Sequence, residues 1–485
     1  MKKILGLLTI LSFVGSLAHP SDNRSAPNVF SSGSTISSSK MNENFNFLAS
    51  EIKEKDVYCD NGETISDAIN DGYNSLTIHG DCSGAIGVYK LAPSAYGISY
   101  NDMPNKPISY LIIKGYNDDK SDTITTPSGG FDFFVDDSYL QISGITLNLG
   151  EDFYFGSSFL RSKNCEINGK LKLSRSSSGD IEDTIINGEV NVRESSSLPL
   201  SDSTINGEIE IEHNSSIKIW NSTINGELDI VDNSHASLDE STINGTVNNR
   251  TVKVKNNSSL SAWKSDITGF TGAGDVIWVY NNSSVEFNGD PSDTNGQTNI
   301  IAPTGEHAIR LELNSSGQIS TTNITSVDKT AVYMQHNSSL QVWSNVTIDR
   351  TNDTSSGDIR VSAPGELSLN DSTITVGNVD CEDIISKVDL EQSLSASLGS
   401  KCNGYQNLIP NYREIYSGTC ESSGFNNLIS AHECSQAGSQ LANTIDEDGF
   451  VPKGCIVSGG KLFININDNS VTQVGTNAQS AWCKE

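Results

Sequence analysis

The sequence predicts an all-β protein folded as a parallel β-solenoid, and three observations support this prediction. Asn-Gly pairs begin at residues 168, 187, 206, 225 and 244, with a constant step of 19. Isoleucines keep the same step directly before each pair, at residues 167, 186, 205, 224 and 243. Apolar and polar residues alternate within each unit, as in strands that bury one face. A 19-residue unit cannot bury that face alone, so successive units are expected to stack as coils.

Composition and charge exclude several classes of protein. The chain has 485 residues, of which 35% are hydrophobic and 19% are charged. Neither coiled coils nor multi-span membrane proteins have such a composition. The formal net charge is −29, which argues against nucleic acid and anionic membranes as partners. An acidic glycan would need local basic residues or bridging cations to bind here.

The N-terminus has the pattern of a secretory leader. Met1-Lys2-Lys3 precedes an apolar run from Ile4 to Val14, and Ser16-Leu17-Ala18 supplies small residues at a cleavage site. We therefore expect a signal peptide over residues 1–18 and a secreted or surface-exposed mature protein without membrane insertion.

Residues 19–55 are predicted to form a linker and a short amphipathic helix. The apolar residues of that helix have a 4-3-4 spacing and are Met41, Phe45, Leu48 and Ile52. About two heptads are too few for a stable coiled coil unaided. The helix either caps the solenoid or contributes to a homotrimer.

A second marker, Asn-Ser-Ser, extends the solenoid beyond the 19-residue repeats. It begins at residues 214, 257, 282, 314 and 337, and apolar residues stand five and three positions before each Asn. The coils are expected to lengthen after residue 245. We assign residues 56–380 to the β-helix with its N-terminal cap, and residues 381–401 to a helix or loop that closes it.

The C-terminal residues 402–485 predict a small, disulfide-rich α+β module. The segment from Leu428 to Leu441 has the pattern of a helix, and the segment from Gly454 to Asn465 has that of a hairpin.

Nine cysteines in an exported chain predict disulfides and one free thiol. Cys165 is the expected free cysteine, because the equivalent repeat positions hold small polar residues: Thr184, Ser203, Ser222 and Ser241. Cys59 with Cys82, and Cys381 with Cys402, are plausible local pairs. Three connectivities remain open for the other four, which are Cys420, Cys434, Cys455 and Cys483.

Two segments resemble known proteins. Val57-Tyr-Cys-Asp-Asn-Gly-Glu-Thr-Ile-Ser-Asp-Ala-Ile69, with Leu76-Thr-Ile-His-Gly-Asp-Cys82, resembles the beginning of secreted bacterial members of the pectin-lyase-like superfamily. That resemblance implies a right-handed parallel β-helix. The segment from Pro27 to Phe45 resembles one in phage tail fibres. Enzymes of the superfamily use calcium beside a basic proton acceptor, or paired carboxylates, but their lyase and polygalacturonase motifs are missing here.

Outward-facing residues of one sheet predict a ligand-binding surface. The residues four and two positions before each Asn-Ser-Ser are, in successive coils, Lys253/Lys255, Trp278/Tyr280, Arg310/Glu312 and Tyr333/Gln335. Aromatic faces with cationic and amide neighbours suit sugar rings and their acid groups. A subunit interface is the alternative. The three tryptophans that follow the turns are expected to face outward on another side, as a second ligand strip or as partly buried contacts: Trp220, Trp263 and Trp343.

An acidic column is the predicted place for a metal ion. Glu189, Glu208 and Glu227 are expected to stack, with Glu210 and Asp229 beside them. A solvated acidic face is the alternative, since repulsion between such pairs in water is only about 1 kcal/mol. Asp446 and Asp448 belong to half of a calcium-loop pattern. The sequence requires no cofactor, and calcium is the ion that these residues suit.

The leading hypothesis is a secreted, non-catalytic β-helix that binds an extracellular polysaccharide or a cell-surface glycan, as an adhesin does. The predicted ligand-binding residues are Lys253, Lys255, Trp278, Tyr280, Arg310 and Tyr333. One alternative is a polysaccharide lyase or glycoside hydrolase, with Arg310, Glu312 and Lys253 in catalysis. Another is a structural fibre or surface subunit.

Overall fold

A computed structural model describes most of the chain from residue 52 onward. The described residues are 52–89, 108–126, 133–246, 250–272, 274–293, 296–351, 358–362, 365–371, 373–382, 387–390, 397–398, 402, 412–415, 426–427, 443–445, 454–458, 461–465 and 480–484. The chain divides into two compact units. The first comprises Met1–Gly317, Thr321–Ala331 and Arg350–Asp353, and the second comprises Gln318–Ser320, Val332–Asp349 and Thr354–Glu485.

The first unit is a stack of coils with three strands in each complete coil, and every strand pairs in parallel with its equivalents in adjacent coils. This confirms the predicted parallel β-solenoid, whereas its right-handedness stays a prediction. We name the three sheets A, B and C in the order in which the chain visits them. Sheet A contains Glu54–Tyr58, Ser75–His79, Tyr110–Gly115, Tyr139–Ser143, Phe159–Lys163, Ser178–Glu182, Ser197–Ser201, Ser216–Trp220, His235–Asp239, Ser259–Trp263 and Ser284–Asn288.

Sheets B and C share two long strands, Thr146–Gly156 and Glu166–Ser174, which bend from one sheet into the other. The remaining strands of sheet B are Asp81–Ser83, Thr123–Thr125, Ile185–Asn187, Thr204–Ile205, Thr223–Asn225, Thr242–Asn244, Asp266–Thr268, Thr298–Ala302 and Thr322–Ser326. Those of sheet C are Ile86–Tyr89, Phe133–Asp136, Val190–Val192, Ile209–Ile211, Leu228–Val231, Val252–Lys255, Ile277–Tyr280 and Ile309–Glu312.

The corners of the coil explain the recurring turn residues. Between sheets C and A, two consecutive residues adopt the left-handed conformation, as His213 (φ 55°) and Asn214 (φ 63°) do. Between sheets A and B a single residue does so, as Asn221 does (φ 47°). Asn tolerates this conformation better than most residues with a Cβ. The Asn-Ser-Ser marker therefore identifies one particular corner.

Stacked apolar columns fill the interior. The isoleucines of the 19-residue repeat are fully buried and pair from coil to coil in sheet B: Ile167, Ile186, Ile205, Ile224 and Ile243. Sheet C continues with Val190, Ile209 and Leu228, which are also fully buried. Leu228 then pairs with Val252, 24 residues on, so the predicted lengthening of the coils is confirmed.

The N-terminal cap holds a helix that the sequence analysis did not assign. It spans Ile65–Asn70, and the Thr64 hydroxyl accepts a hydrogen bond from the Asp67 amide at 3.0 Å. Ile65, Ala68 and Ile69 form the buried face of this helix. A 3-10 turn at Cys59–Asn61 precedes it, and the predicted Cys59–Cys82 disulfide is present. Cys165 is free and buried, as predicted.

The second unit contains further parallel strands and the predicted Cys381–Cys402 disulfide. Its parallel strands include Val332–Met334, Ser339–Val342, Ile359–Val361, Glu366–Leu369, Thr375–Val376, Asn378–Cys381, Lys387–Leu390 and Ser397–Leu398; Ser316–Ile319 and Thr347–Arg350 contain residues of both units. The predicted closing helix or loop over 381–401 is wrong in part. Lys387–Leu390 pairs with Glu366–Leu369, and Ser397–Leu398 pairs with Asn378–Cys381, because buried Val388 continues the apolar pattern.

The C-terminal residues form a separate sheet with antiparallel and parallel pairs. Its strands are Tyr412–Ile415, Asn426–Asn427, Asn443–Ile445, Gly454–Ser458, Lys461–Asn465 and Ser480–Lys484. The predicted hairpin is confirmed, since Gly454 pairs with Asn465 and Ser458 with Lys461. The helix predicted over 428–441, residues Cys420 and Cys434, and the disulfide partners of Cys455 and Cys483 lie outside what the structure describes.

The leader 1–18 and nearly all of segment 19–55 also lie outside the described residues. Within the described part of the chain, no helix has the length and apolar character needed to cross a membrane.

Candidate functional site

The outer face of sheet C brings most of the predicted ligand-binding residues together. Lys253 pairs with Trp278 and Trp278 with Arg310, while Lys255 pairs with Tyr280 and Tyr280 with Glu312. All six side chains point outward, because the residues between them are buried. The register that the sequence predicted for these three strands is therefore confirmed.

The Trp278 ring is enclosed by its neighbours. The Arg250 guanidinium lies 3.9 Å from the ring centroid, and the Tyr280 ring lies 4.9 Å away. The indole Nε1 donates a hydrogen bond to Glu312 Oε2 at 2.6 Å. These contacts hold the indole in one orientation and occupy its polar atom.

The two lysines of this face are paired with carboxylates inside the protein. The Lys253 ammonium contacts Glu227 Oε1 and lies 3.9 Å from Asp229 Oδ2, and only 14% of its side chain is exposed. Lys255 Nζ lies 3.0 Å from the same Asp229 oxygen. Burial lowers the pKa of Lys253 and raises that of Asp229. Lys253 thus neutralises buried carboxylates.

Arg310 is also held by acidic neighbours. Its guanidinium lies 2.7 Å from Glu312 Oε1 and 3.4 Å from Asp275 Oδ2. The nearby His307 Nδ1 donates a hydrogen bond to the Thr330 carbonyl oxygen at 2.7 Å, because a carbonyl oxygen can only accept, and burial lowers the pKa of His307. Lys253 lies two coils from Arg310 in the register. The three residues predicted for an enzyme therefore do not form one cluster.

The acidic column is only partly assembled. Glu208, Glu227 and Asp229 place one oxygen each within 4.8 Å of the others. Glu189 instead pairs with Lys170 at 2.6 Å. Because the Lys253 ammonium contacts Glu227, the chain supplies this cluster with a cation of its own. Asp446 and Asp448 lie outside the described residues.

Tyr333 belongs to the second unit. Its ring lies 5.7 Å from the Arg360 guanidinium, and its hydroxyl lies 3.4 Å from Glu382 Oε1. Arg360 in turn pairs with Glu382 at 2.5 Å. Tyr333 is thus part of a local cluster of its own unit.

Three tryptophans are exposed, two on sheet A and one in the second unit. Trp220 and Trp263 are 44% and 37% exposed, and Trp343 in the second unit is 47% exposed. This confirms that they face outward. Trp220 pairs with Asp239 and Asp239 with Trp263, so the two indoles stand in one row, two coils apart. The Lys264 ammonium lies 4.5 Å from the Trp263 ring and restrains it.

The same row continues towards the N-terminus to a region that the sequence analysis missed. We call it the tryptophan row, and its members are Lys114, Ser143, Lys163, Glu182, Ser201, Trp220, Asp239, Trp263 and Asn288. At the other ends of the strands that hold its first members, three aromatic rings stack across adjacent coils. Tyr139 lies 4.9 Å from Tyr110 and 5.3 Å from Phe159.

A cavity of about 430 Å³ opens on these N-terminal coils. Its lining residues are Lys114, Gly115, Asp118, Gln141, Ser143, Arg161 and Lys163. Three of the seven carry a positive charge, although the protein has a net charge of −29. The signal in the sequence is an aromatic residue followed four positions later by a lysine, in Tyr110–Lys114 and Phe159–Lys163. It lies outside the Asn-Gly repeats, so the 19-residue period does not reveal it.

Comparison with protein-family models, with curated proteins and with solved structures finds no match for this chain. Membership of the pectin-lyase-like superfamily therefore stays a prediction.

Proposed function

We propose that this protein is a secreted, non-catalytic β-solenoid that binds an extracellular polysaccharide along the outer face of sheet A. The observation that carries this proposal is the pair of exposed indoles, Trp220 and Trp263, in one row of the sheet. Apolar surface that is exposed together on one face, with polar residues around it, marks interaction sites.

The spacing of the two indoles suits a chain of sugar rings. Adjacent coils are about 4.8 Å apart, so rings two coils apart are separated by roughly 10 Å. This is close to the length of two β-1,4-linked pyranose units. Each indole offers an apolar face to a sugar ring, and the Asp239 carboxylate between them accepts hydrogen bonds from hydroxyl groups.

The outer face of sheet C is less suited to bind a polysaccharide. Its aromatic and cationic residues already contact each other, as Trp278 contacts Arg250, Tyr280 and Glu312. A ligand would have to replace the ion pairs of partly buried Arg310 and nearly buried Lys253. Breaking such pairs is strongly unfavourable, whereas the Trp220 ring is open to solvent.

Affinity electrophoresis with soluble hydroxyethyl cellulose tests the proposal. The wild-type protein should be retarded, and the Trp220→Ala/Trp263→Ala protein should bind about thirtyfold more weakly, because it loses two stacking contacts of about 1 kcal/mol each. Phe270→Ala, at an exposed aromatic residue outside sheet A, is the matched control.

A second double variant tests whether the binding site lies on sheet C, as the sequence predicted. If Trp278→Ala/Tyr280→Ala abolishes retardation while the Trp220/Trp263 variant retains it, the site is on sheet C. Polymer length is followed in the same samples. Shortened polymer would contradict a non-catalytic role, and absence of binding to any polysaccharide would favour the structural subunit.

A further inference from the structure

We infer that the cavity on the first coils of sheet A binds an anionic group of the polysaccharide, a carboxylate or a sulfate ester. This inference rests on the proposed function and specifies the class of its ligand: an acidic polysaccharide rather than a neutral one. The cavity has three cationic side chains in its lining, and its volume of about 430 Å³ is in the range of sites that hold small ligands.

The three cations belong to neighbouring strands and surround one space. Lys114 and Lys163 stand in the tryptophan row, separated by Ser143. Arg161 stands two residues before Lys163 and lines the same cavity. Arginine and lysine together offer a planar pair of donors and a point charge, which suit the oxygens of a carboxylate or sulfate.

These cations are more accessible than those of sheet C. Arg161 lies 3.8 Å from Asp180 Oδ2, and Lys163 lies 2.8 Å from Glu182 Oε1. The side chains of Arg161 and Lys163 are 42% and 52% exposed, against 14% for Lys253. Exposed ion pairs are weak, so an anionic ligand can compete with Asp180 and Glu182. No carboxylate of the described residues forms an ion pair with Lys114, which is exposed.

A polar side chain beside the cations completes a subsite for a sugar. Gln141 lines the cavity, and its Oε1 accepts a hydrogen bond from the Tyr139 hydroxyl at 3.3 Å. Tyr139 is the middle ring of the stack formed with Tyr110 and Phe159. A sugar whose acid group occupies the cavity would therefore meet the Gln141 side chain, which the Tyr139 hydroxyl holds in place.

The cavity and the indoles can bind one polymer. Lys163 and Trp220 are three coils apart in the tryptophan row, which corresponds to roughly 14 Å. A polysaccharide lying along this row would contact the cations with its acid groups and the indoles with its ring faces. Asp118 in the cavity lining and Glu182 in the row would disfavour a polymer with closely spaced charges on every ring.

The experiment uses three polymers with one β-1,4-glucan backbone: hydroxyethyl cellulose, carboxymethyl cellulose and cellulose sulfate. The wild-type protein should bind the two anionic polymers more tightly than the neutral one. Lys114→Gln/Lys163→Gln should weaken binding to the anionic polymers about tenfold, as expected for lost charge-assisted hydrogen bonds, and leave binding to hydroxyethyl cellulose unchanged. The difference should shrink as salt screens the charges.

The matched control is Lys170→Gln/Lys172→Gln on sheet C. It removes the same two charges, and Lys170 pairs with Glu189 at 2.6 Å much as Lys163 pairs with Glu182. If this control weakens binding equally, the effect is one of net charge and the inference is wrong. Unchanged binding of the Lys114/Lys163 variant to both anionic polymers would also overturn it.

The Trp220→Ala/Trp263→Ala variant separates the inference from the proposed function. Loss of binding to all three polymers in that variant supports the proposed function whatever the lysine variant shows. If it binds all three normally while the lysine variant fails on the anionic ones, the cavity is the site and the indoles are not. A preference for carboxymethyl cellulose or for cellulose sulfate identifies the anionic group.

Discussion

Asn206 donates a hydrogen bond from its side-chain amide to Asn187 Oδ1 at 2.7 Å, one coil away. The same bond recurs along the corner between sheets B and C, from Asn168 to Asn148, Asn187 to Asn168, Asn225 to Asn206 and Asn244 to Asn225, at 2.7–3.0 Å. The corner therefore carries a continuous ladder of amides.

Replacing one Asn of this ladder should destabilise the solenoid. In Asn206→Ala, Asn187 loses a donor and Asn225 loses an acceptor, so we expect the free energy of unfolding to fall by about 1–3 kcal/mol. Urea unfolding followed by circular dichroism measures the change. Lys218→Ala, at an exposed position of sheet A, is the control and should change stability by less than about 0.5 kcal/mol. Equal stability of both variants would show that the ladder contributes nothing.

Close approach of the backbone requires a glycine after three of these asparagines, at Gly188, Gly207 and Gly226. A Cβ on Gly207 would overlap the carbonyl oxygen of Gly188 in the preceding coil. Gly207→Ala should therefore force the coils apart and lower the free energy of unfolding by about 1–3 kcal/mol. Thermal unfolding compared with Ser237→Ala, a half-buried position on sheet A, checks this. A Gly207→Ala protein as stable as the wild type would contradict the packing.

Lys253 is expected to matter for stability rather than for ligand binding. Lys253→Ala would remove the ammonium that contacts Glu227, which is 5% exposed, and would leave Asp229, which is 8% exposed, with Lys255 alone. The free energy of unfolding should fall by about 3 kcal/mol, and the loss should shrink as falling pH protonates the carboxyl groups. Lys172→Ala on the same sheet is the control. A stable Lys253→Ala protein that no longer binds glycan would support the ligand role instead.

The phenol of Tyr139 predicts a pH dependence of stability. Burial raises its pKa from 10.0 to about 12. Below pH 10 the phenol is protonated in both states, so its contribution is complete; between pH 10 and 12 only the unfolded state ionises, and stability falls by at most about 2 kcal/mol. Tyr139→Phe should remove this part of the fall. Urea unfolding between pH 9 and 11 measures it, with Tyr116→Phe, at an exposed residue, as the control. Identical pH profiles for wild type and Tyr139→Phe would contradict the expectation.

The coil-to-coil register was predictable because the repeat has a constant length, so equivalent residues of adjacent coils lie one repeat apart in the sequence. Ile205 and Ile224 are 19 residues apart and stack directly, and the same step predicts the amide ladder. The free Cys165 follows from the same arithmetic, because its amide contacts Thr184 Oγ1, 19 residues on, at the position of a small polar side chain.

The partners of the charged residues were not predictable in this way. Lys253 contacts Glu227 across 26 residues, and Arg310 contacts Asp275 across 35, where coil lengths vary. Long side chains reach neighbours along a sheet as well as across it, so their contacts depend on rotamers that the period does not specify. Lys163 and Lys253 look alike in the sequence, yet one is half exposed and the other is nearly buried.

The sequence by itself determined the parallel solenoid, its apolar columns, two disulfides and the outward direction of the tryptophans. A short repeat cannot bury its apolar positions alone, so the repeats stack with these positions aligned from coil to coil. Only the tertiary structure decided which outward residues remain open to a ligand. Burial and ion pairing are properties of adjacent coils together, and they enclose Trp278 and Lys253 while leaving Trp220, Trp263 and the cations of the cavity in contact with water.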